Sequence, residues 1–240
     1  PSIEEWKEEY DQAMLDKKKA REAKKAGASA ASVEDEGASK GKSNSILRRR
    51  RHLVLLAQNQ TGLNNLFKLV SESYKDENFY RYPRMDYKML KEHSEGIIAS
   101  SACLGGVYAG NYWENREEGP EAVLEAMRDT TRNMLDVFGD RWHGEIQWNN
   151  VPEQHELNKF VIKVCDECGV KVISTADSHY PNRDAWKDRE LYKRLGWLGK
   201  GRPQWADTES ELPISVEEIG YELYPKNGDE MWEAYKKYSA

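Results

Sequence analysis

Three short stretches of the 240-residue sequence carry side chains of the kind that perform metal-assisted or nucleophilic chemistry. In the first, a β-branched run at residues 170–175 (VKVIST) leads directly into Ala176-Asp177-Ser178-His179. Asp177 and His179 would share one face if the strand continued through them, and a carboxylate beside an imidazole suits a divalent metal of hard to borderline character. In the second, residues 96–101 (GIIASS) lead into Ala102-Cys103-Leu104-Gly105-Gly106. The glycines permit a tight turn that leaves the Cys103 thiol near a rim, as ligand or as nucleophile. In the third, Glu145 and Gln147 alternate with Ile146 in a strand-like stretch and face either a site or solvent. In parallel α/β sheets ligands gather at the carboxyl ends of strands. That rule favours Cys103, Asp177 and His179, and by position alone it disfavours His52, which opens an apolar run.

Other chemically suggestive residues have plainer readings. Cys165-x-x-Cys168 is a single pair inside a helical pattern with Val161, Ile162 and Val164, so core packing outweighs a zinc or redox role. His93, His143 and His155 stand among polar neighbours and are predicted to be exposed. The run Arg48, Arg49, Arg50, Arg51 could touch nucleic-acid phosphates weakly, although such runs are usually solvated.

The elements that must position these residues alternate. Residues 52–57 read as a buried strand, and residues 61–74 as a helix with Leu63, Leu66, Phe67 and Val70 at helical spacing. A short helix at 86–93 follows. The strand at 96–101 precedes an amphipathic helix at 120–138, stopped by Gly139. The strand at 143–148 precedes a helix at 151–168, ended by Gly169, and the strand at 170–175. Repeated strand and helix argue for an α/β fold with a parallel sheet, open or closed into a barrel. Beyond residue 180 the pattern weakens. Residues 196–215 read as loop, and residues 229–238 as a closing helix with Trp232 and Tyr235 as its apolar contacts.

Composition bounds the function class. Hydrophobic residues make up 38% and charged residues 32%, but eight Trp and thirteen Tyr supply a core, which excludes wholesale disorder. No run approaches the roughly 18 apolar residues of a membrane helix, and the odd cysteine count of 3 fits a reducing compartment, so a soluble cytoplasmic protein without a membrane partner is expected. The net charge is -6, yet residues 17–51 hold twelve Lys or Arg against four acids, a local +8 that leaves -14 elsewhere. Within that stretch the Gly-, Ala- and Ser-rich residues cannot bury enough surface to offset their ordering entropy. The expected organisation is a helical segment at 1–25, a flexible basic insertion at 26–51 and a folded body at 52–240. The first residue is Pro rather than Met, which suggests a portion of a longer protein.

The body contains ordered blocks of a known kind: His52-Leu-Val-Leu-Leu-Ala-Gln-Asn-Gln-Thr-Gly62 with Asn65-Leu-Phe-Lys-Leu-Val-Ser71, then Tyr82-Pro-Arg-Met-Asp86. After them come His93-Ser-Glu-Gly96, Ser100-Ser-Ala-Cys-Leu-Gly-Gly106, Gly144-Glu-Ile-Gln147, Pro152-Glu-Gln154 and Val172-Ile-Ser-Thr-Ala-Asp-Ser-His-Tyr180. Over residues 52–240 the chain resembles the polymerase-and-histidinol-phosphatase (PHP) domain of bacterial or phage DNA polymerase III alpha subunits, the family C DNA polymerases. The resemblance implies a distorted (β/α)7 TIM-like barrel, here N-terminally incomplete, whose rim ligands hold up to three divalent ions (Zn, Mn or Mg). By motif, His52, Cys103, Asp177 and His179 match four such ligands, which reverses the positional argument against His52; Glu145 stands as a further rim residue. It also implies metal-dependent phosphoester hydrolysis of the 3'-5' exonuclease type, within a DNA-directed DNA polymerase (a nucleotidyltransferase) serving DNA replication. The implied partners are the palm, fingers and thumb, the DNA primer-template, an exonuclease subunit and a sliding clamp. A stand-alone phosphoesterase and a catalytically silent scaffold domain are the competing readings. The family's ligand pattern opens with His-x-His, Asp, His and Glu ahead of the block at His52, and no histidine precedes His52 here. Half a ligand set is therefore expected, with the rest upstream or on a partner chain and the isolated chain inactive.

Overall fold

The computed structural model describes Glu8, Asp11, Gln12 and Leu15, all helical, together with residues 50–80, 82–149, 151–198 and 222–239. The helical segment expected at 1–25 and the insertion at 26–51 lie almost wholly outside the described residues. So does most of the loop expected at 196–215.

The elements are β1 (Val54–Ala57), α1 (Gln60–Ser73), β2 (Phe79–Tyr80), β3 (Tyr82–Pro83), α2 (Tyr87–Glu92), β4 (Ile97–Ser100), α3 (Val107–Asn115), α4 (Pro120–Phe138), β5 (Trp142–Gln147), α5 (Pro152–Cys168), β6 (Lys171–Thr175), α6 (Trp186–Leu198) and α7 (Gly228–Tyr238). Four strands form a sheet in the order β1-β4-β5-β6, and β2 pairs with β3 in an antiparallel hairpin. The β4–β5 and β5–β6 pairs are parallel, with Ser100 opposite His143 and Glu145 opposite Ile173. The architecture is thus mixed α/β around a four-stranded sheet. No helix among the described residues is long and apolar enough to cross a membrane.

The chain forms two compact units, residues 1–51, 55–98 and 136–139, and residues 52–54, 99–135 and 140–240. In the first, Asn59 caps α1 by accepting from the Gly62 N–H at 3.0 Å, the interaction that makes Asn a strong helix starter. Gly62 lies against Gly96 so closely that a Cβ would overlap the Gly96 carbonyl, and Asn65 Nδ2 donates to the Glu95 carbonyl at 2.9 Å. The face of α1 that is buried is therefore Gly62, Asn65, Leu69 and Ser73. The apolar spacing predicted the opposite: Leu63, Phe67 and Val70 are exposed, because small and polar residues allow the close backbone approach and bulky ones do not.

In the second unit, the core gathers on β5 and the helices α3, α4 and α5. Trp142 is 1% exposed, meets the Tyr108 ring edge-on at 5.7 Å, and donates its indole N–H to the Tyr108 hydroxyl at 3.1 Å. Helix α4 buries Val123, Met127 and Met134 as its periodicity predicted. Helix α5 buries Leu157, Val161, Val164 and Cys165, and it ends at Gly169 with φ +68° as expected. Cys165 is core, in agreement with the packing reading. Among its neighbours is Gly144, where a Cβ would overlap the Cys165 sulfur.

Several expectations need correction. The first strand is not buried: β1 begins at Val54, occupies an end of the strand order and exposes Val54 and Leu56. His93, His143 and His155 are half-buried, and His143 Nδ1 lies 3.1 Å from the Arg141 carbonyl. Helices α3 and α6 and the β2–β3 hairpin had no clear signal in the sequence. Of the pair assigned to the closing helix, Tyr235 packs edge-on against Trp148 at 4.9 Å, while the buried residue is Ala234.

Candidate metal centre

All of the candidate ligands selected from the sequence fall in the second unit. His52 sits just ahead of β1, its N–H donating to the Gly105 carbonyl at 2.8 Å in an isolated parallel bridge to Gly106. That bridge, rather than the strand, delivers its imidazole to the turn after β4. There His52 Nδ1 lies 3.5 Å from Cys103 Sγ. Gly105 packs against the ring, with a Cβ position only 3.0 Å from Nδ1. Gly106 is required for a different reason: a side chain would overlap the Ser101 carbonyl, so the turn closes on glycine alone.

Asp177 and His179 do not share a strand face. Strand β6 ends at Thr175, and Asp177 takes φ +47° in the left-handed region, so the chain turns before His179. The turn itself brings the pair together. His179 Nδ1 lies 2.5 Å from the Asp177 carbonyl and 4.0 Å from its Oδ1. Occupation of Nδ1 by a carbonyl leaves Nε2 available, the arrangement in which histidine serves as a metal ligand. The segment is clamped from behind: the Leu223 carbonyl accepts from the N–H groups of His179 at 2.7 Å and Tyr180 at 3.2 Å. The Tyr180 hydroxyl accepts from the Leu223 N–H at 2.8 Å.

Electrostatics couple the two turns. Burial raises the Cys103 thiol; a bond with the Gly105 backbone opposes the rise, and the Asp177 and Glu145 carboxylates add to it. Burial likewise raises the Asp177 carboxyl, His179 opposes, Glu145 adds, and His52 and Arg189 oppose. His52, Cys103, Glu145, Asp177 and His179 are therefore one electrostatic neighbourhood. Imidazole, thiol and carboxylate are suitable donors for zinc or manganese. Yet among the described residues no three His, Cys, Asp or Glu side chains converge to hold an ion, so the donor chemistry fits while the set does not close.

Glu145 is neither solvent-facing nor at an open rim. It is 6% exposed, and its carboxylate accepts from Ser100 Oγ at 2.5 Å, Thr175 Oγ1 at 2.6 Å and Gln147 Nε2 at 3.3 Å. The sequence signal for this network was the hydroxyl-rich strand ends SS and ST. Of the basic run, Arg50 and Arg51 are described and exposed, and the Arg50 guanidinium stacks 3.8 Å from the Tyr82 ring centre. Arg48 and Arg49 lie outside the described residues.

A profile of the PHP domain matches residues 7–149, more than half of the chain. The chain belongs to the PHP domain family. The PHP match begins upstream of His52 and takes in Cys103 and Glu145. The chain is also similar to DNA polymerase III subunit alpha of Aquifex aeolicus (strain VF5), 40% identical over 131 residues covering 55% of this chain and 11% of that protein. Its likeness to the same subunit of Helicobacter pylori (strain ATCC 700392 / 26695) is 39% over 188 residues, 77% of this chain and 15% of the relative. For Borreliella burgdorferi it is 33% over 185 residues, again 77% and 15%. The PHP chain thus spans only 11 to 15% of the length of these relatives.

Proposed function

We propose that this chain is a PHP-domain portion of a replicative family C DNA polymerase alpha subunit, supplying His52, Cys103, Asp177 and His179 as one side of a divalent-metal site. What supports the reading is the placement of two turns, one after β4 and one after β6, at the carboxyl ends of strands that both pair in parallel with β5 and both bond the Glu145 carboxylate. When bound, zinc, manganese or magnesium ions, up to three in a complete domain, lower the pKa of a bound water and neutralise charge on phosphoryl oxygens, the chemistry of phosphoester hydrolysis. The chain's own residues do the holding: the His52 bridge to Gly106 fixes one imidazole, and the Leu223 clamp fixes the other. Parallel pairing of β4, β5 and β6 with intervening helices supports membership in a (β/α)7 barrel whose remaining strands lie outside the described sheet. The partners proposed with this reading are the polymerase palm, fingers and thumb, the primer-template, an exonuclease subunit and a clamp. Arg50 and Arg51 add at most a weak phosphate contact.

Isothermal titration of the 240-residue chain with zinc chloride tests this. Expected is saturable binding far weaker than the roughly 10–16 kcal/mol of closed structural zinc sites, abolished in a Cys103→Ser, His179→Ala double variant. Tight stoichiometric binding would overturn the half-site, and binding indifferent to that double variant would overturn the ligand assignment.

A further inference from the structure

We propose that Glu145 is a positioning residue: its buried carboxylate ties together the last residues of β4 and β6, Ser100 and Thr175, and so sets the turns that present Cys103 and Asp177. The two turns are built alike. Each leaves its strand through a non-glycine residue in the left-handed region two positions after a hydroxyl that bonds Glu145: Ala102 (φ +61°) after Ser100, and Asp177 (φ +47°) after Thr175. Left-handed backbone at alanine and aspartate persists only where the surroundings over-determine it. At both turns the adjoining tether is the same carboxylate. Its two oxygens are divided between them, Oε2 taking Ser100 at 2.5 Å and Oε1 taking Thr175 at 2.6 Å.

The rest of the network points the same way. The Glu145 N–H donates to Ser101 Oγ at 2.8 Å, which adds a second tether to the β4 end. Gln147 Nε2 reaches both Glu145 Oε1 at 3.3 Å and Thr175 Oγ1 at 3.5 Å. Ser100, Ser101, Glu145 and Gln147 are 2 to 6% exposed. Hydrogen bonds to a buried charged group are the stronger kind, and removing one partner leaves the other unsatisfied. Three strands are thus cross-linked in the layer directly beneath the turns. That Cys103 and Asp177 are site residues rests on the function proposed above; the tethering of their turns does not.

Hydrogen–deuterium exchange on the 240-residue chain, followed by mass spectrometry, separates the two questions. Glu145→Gln keeps the volume and removes the charge; Thr175→Val removes one hydroxyl and keeps the fold testable if the first variant does not fold. Expected is exchange roughly tenfold to a hundredfold faster in residues 101–106 and 176–180, the scale of a lost bond to a charged group, with α5 unchanged. Thr175→Ser, which retains the hydroxyl, restores wild-type exchange, and weak zinc affinity falls by a similar factor in Glu145→Gln. Unchanged exchange in both turns, or acceleration spread equally over α5, overturns the proposal. If the wild-type chain binds no zinc while the turns still loosen, the metal reading fails and the role of Glu145 stands.

Discussion

Strands β5 and β6 pair over five register positions, from His143 opposite Lys171 to Gln147 opposite Thr175, yet they live in different environments. All of β5 is buried except half-buried His143, although it carries Glu145 and Gln147; β6, with the more apolar composition, exposes four of its five residues, including Val172 and Ile173. Strand β1, at the other end of the order, likewise exposes Val54 and Leu56. Place in the strand order, not composition, decides burial. Parallel sheets are normally covered on both faces; β5 follows that rule, whereas β1 and β6 leave Val54, Leu56, Val172 and Ile173 exposed. The candidate site lies on the boundary, anchored to the buried strand and opened by the exposed one.

The largest test of that contrast is Trp142→Ala. Losing a fully buried indole that also donates to Tyr108 is expected to cost about 3–5 kcal/mol, read as a shift of the urea midpoint; a loss under about 1 kcal/mol would mean that β5 is not the packed centre. A second test lies behind β5, at Cys165, whose thiol burial pushes up to about 11. The folded value lies above the ordinary value of about 8.5, so the stability from keeping this thiol neutral is fully present below about pH 8.5 and is lost as pH rises through about 11. The melting temperature should fall across that window more steeply in the wild type than in Cys165→Ala; parallel slopes would place the thiol in contact with water. The smallest effect is expected at the edge: Val172→Ser should change stability by no more than about 0.5 kcal/mol, and a cost approaching that of Trp142→Ala would erase the distinction.

The same contrast explains what the sequence revealed. Helices α4 and α5 were legible because their apolar stripes are the faces they bury, and Gly169 ends α5 in the left-handed conformation that glycine favours. Helix α1 was legible as a helix but inverted in orientation, since Gly62 and Asn65 replace bulk with proximity and a hydrogen bond. Helix α3 follows two glycines and contains Gly110, so its signal was masked by helix-weakening residues. Cys103, Asp177 and His179 were singled out as candidates by their place after strands, and the structure does put each of them in a turn that follows a strand. His52 was visible only through resemblance, because a single bridge to Gly106 and not its strand directs it. The Glu145 network escaped because hydroxyls at strand ends look like ordinary turn residues until three strands are laid side by side.

The clamp of Leu223 on Tyr180 spans 43 residues. Closing so long a loop carries an entropic cost that a local turn does not, and the two partners emerge from a ribosome at different times. At about 5–20 residues per second, synthesis places roughly 2–9 s between them. During that interval the Asp177–His179 turn has its short-range bonds but not its backing, so the β6 side of the candidate site is finished last, and any nascent chain halted before Leu223 carries Asp177 and His179 without the frame that fixes their turn.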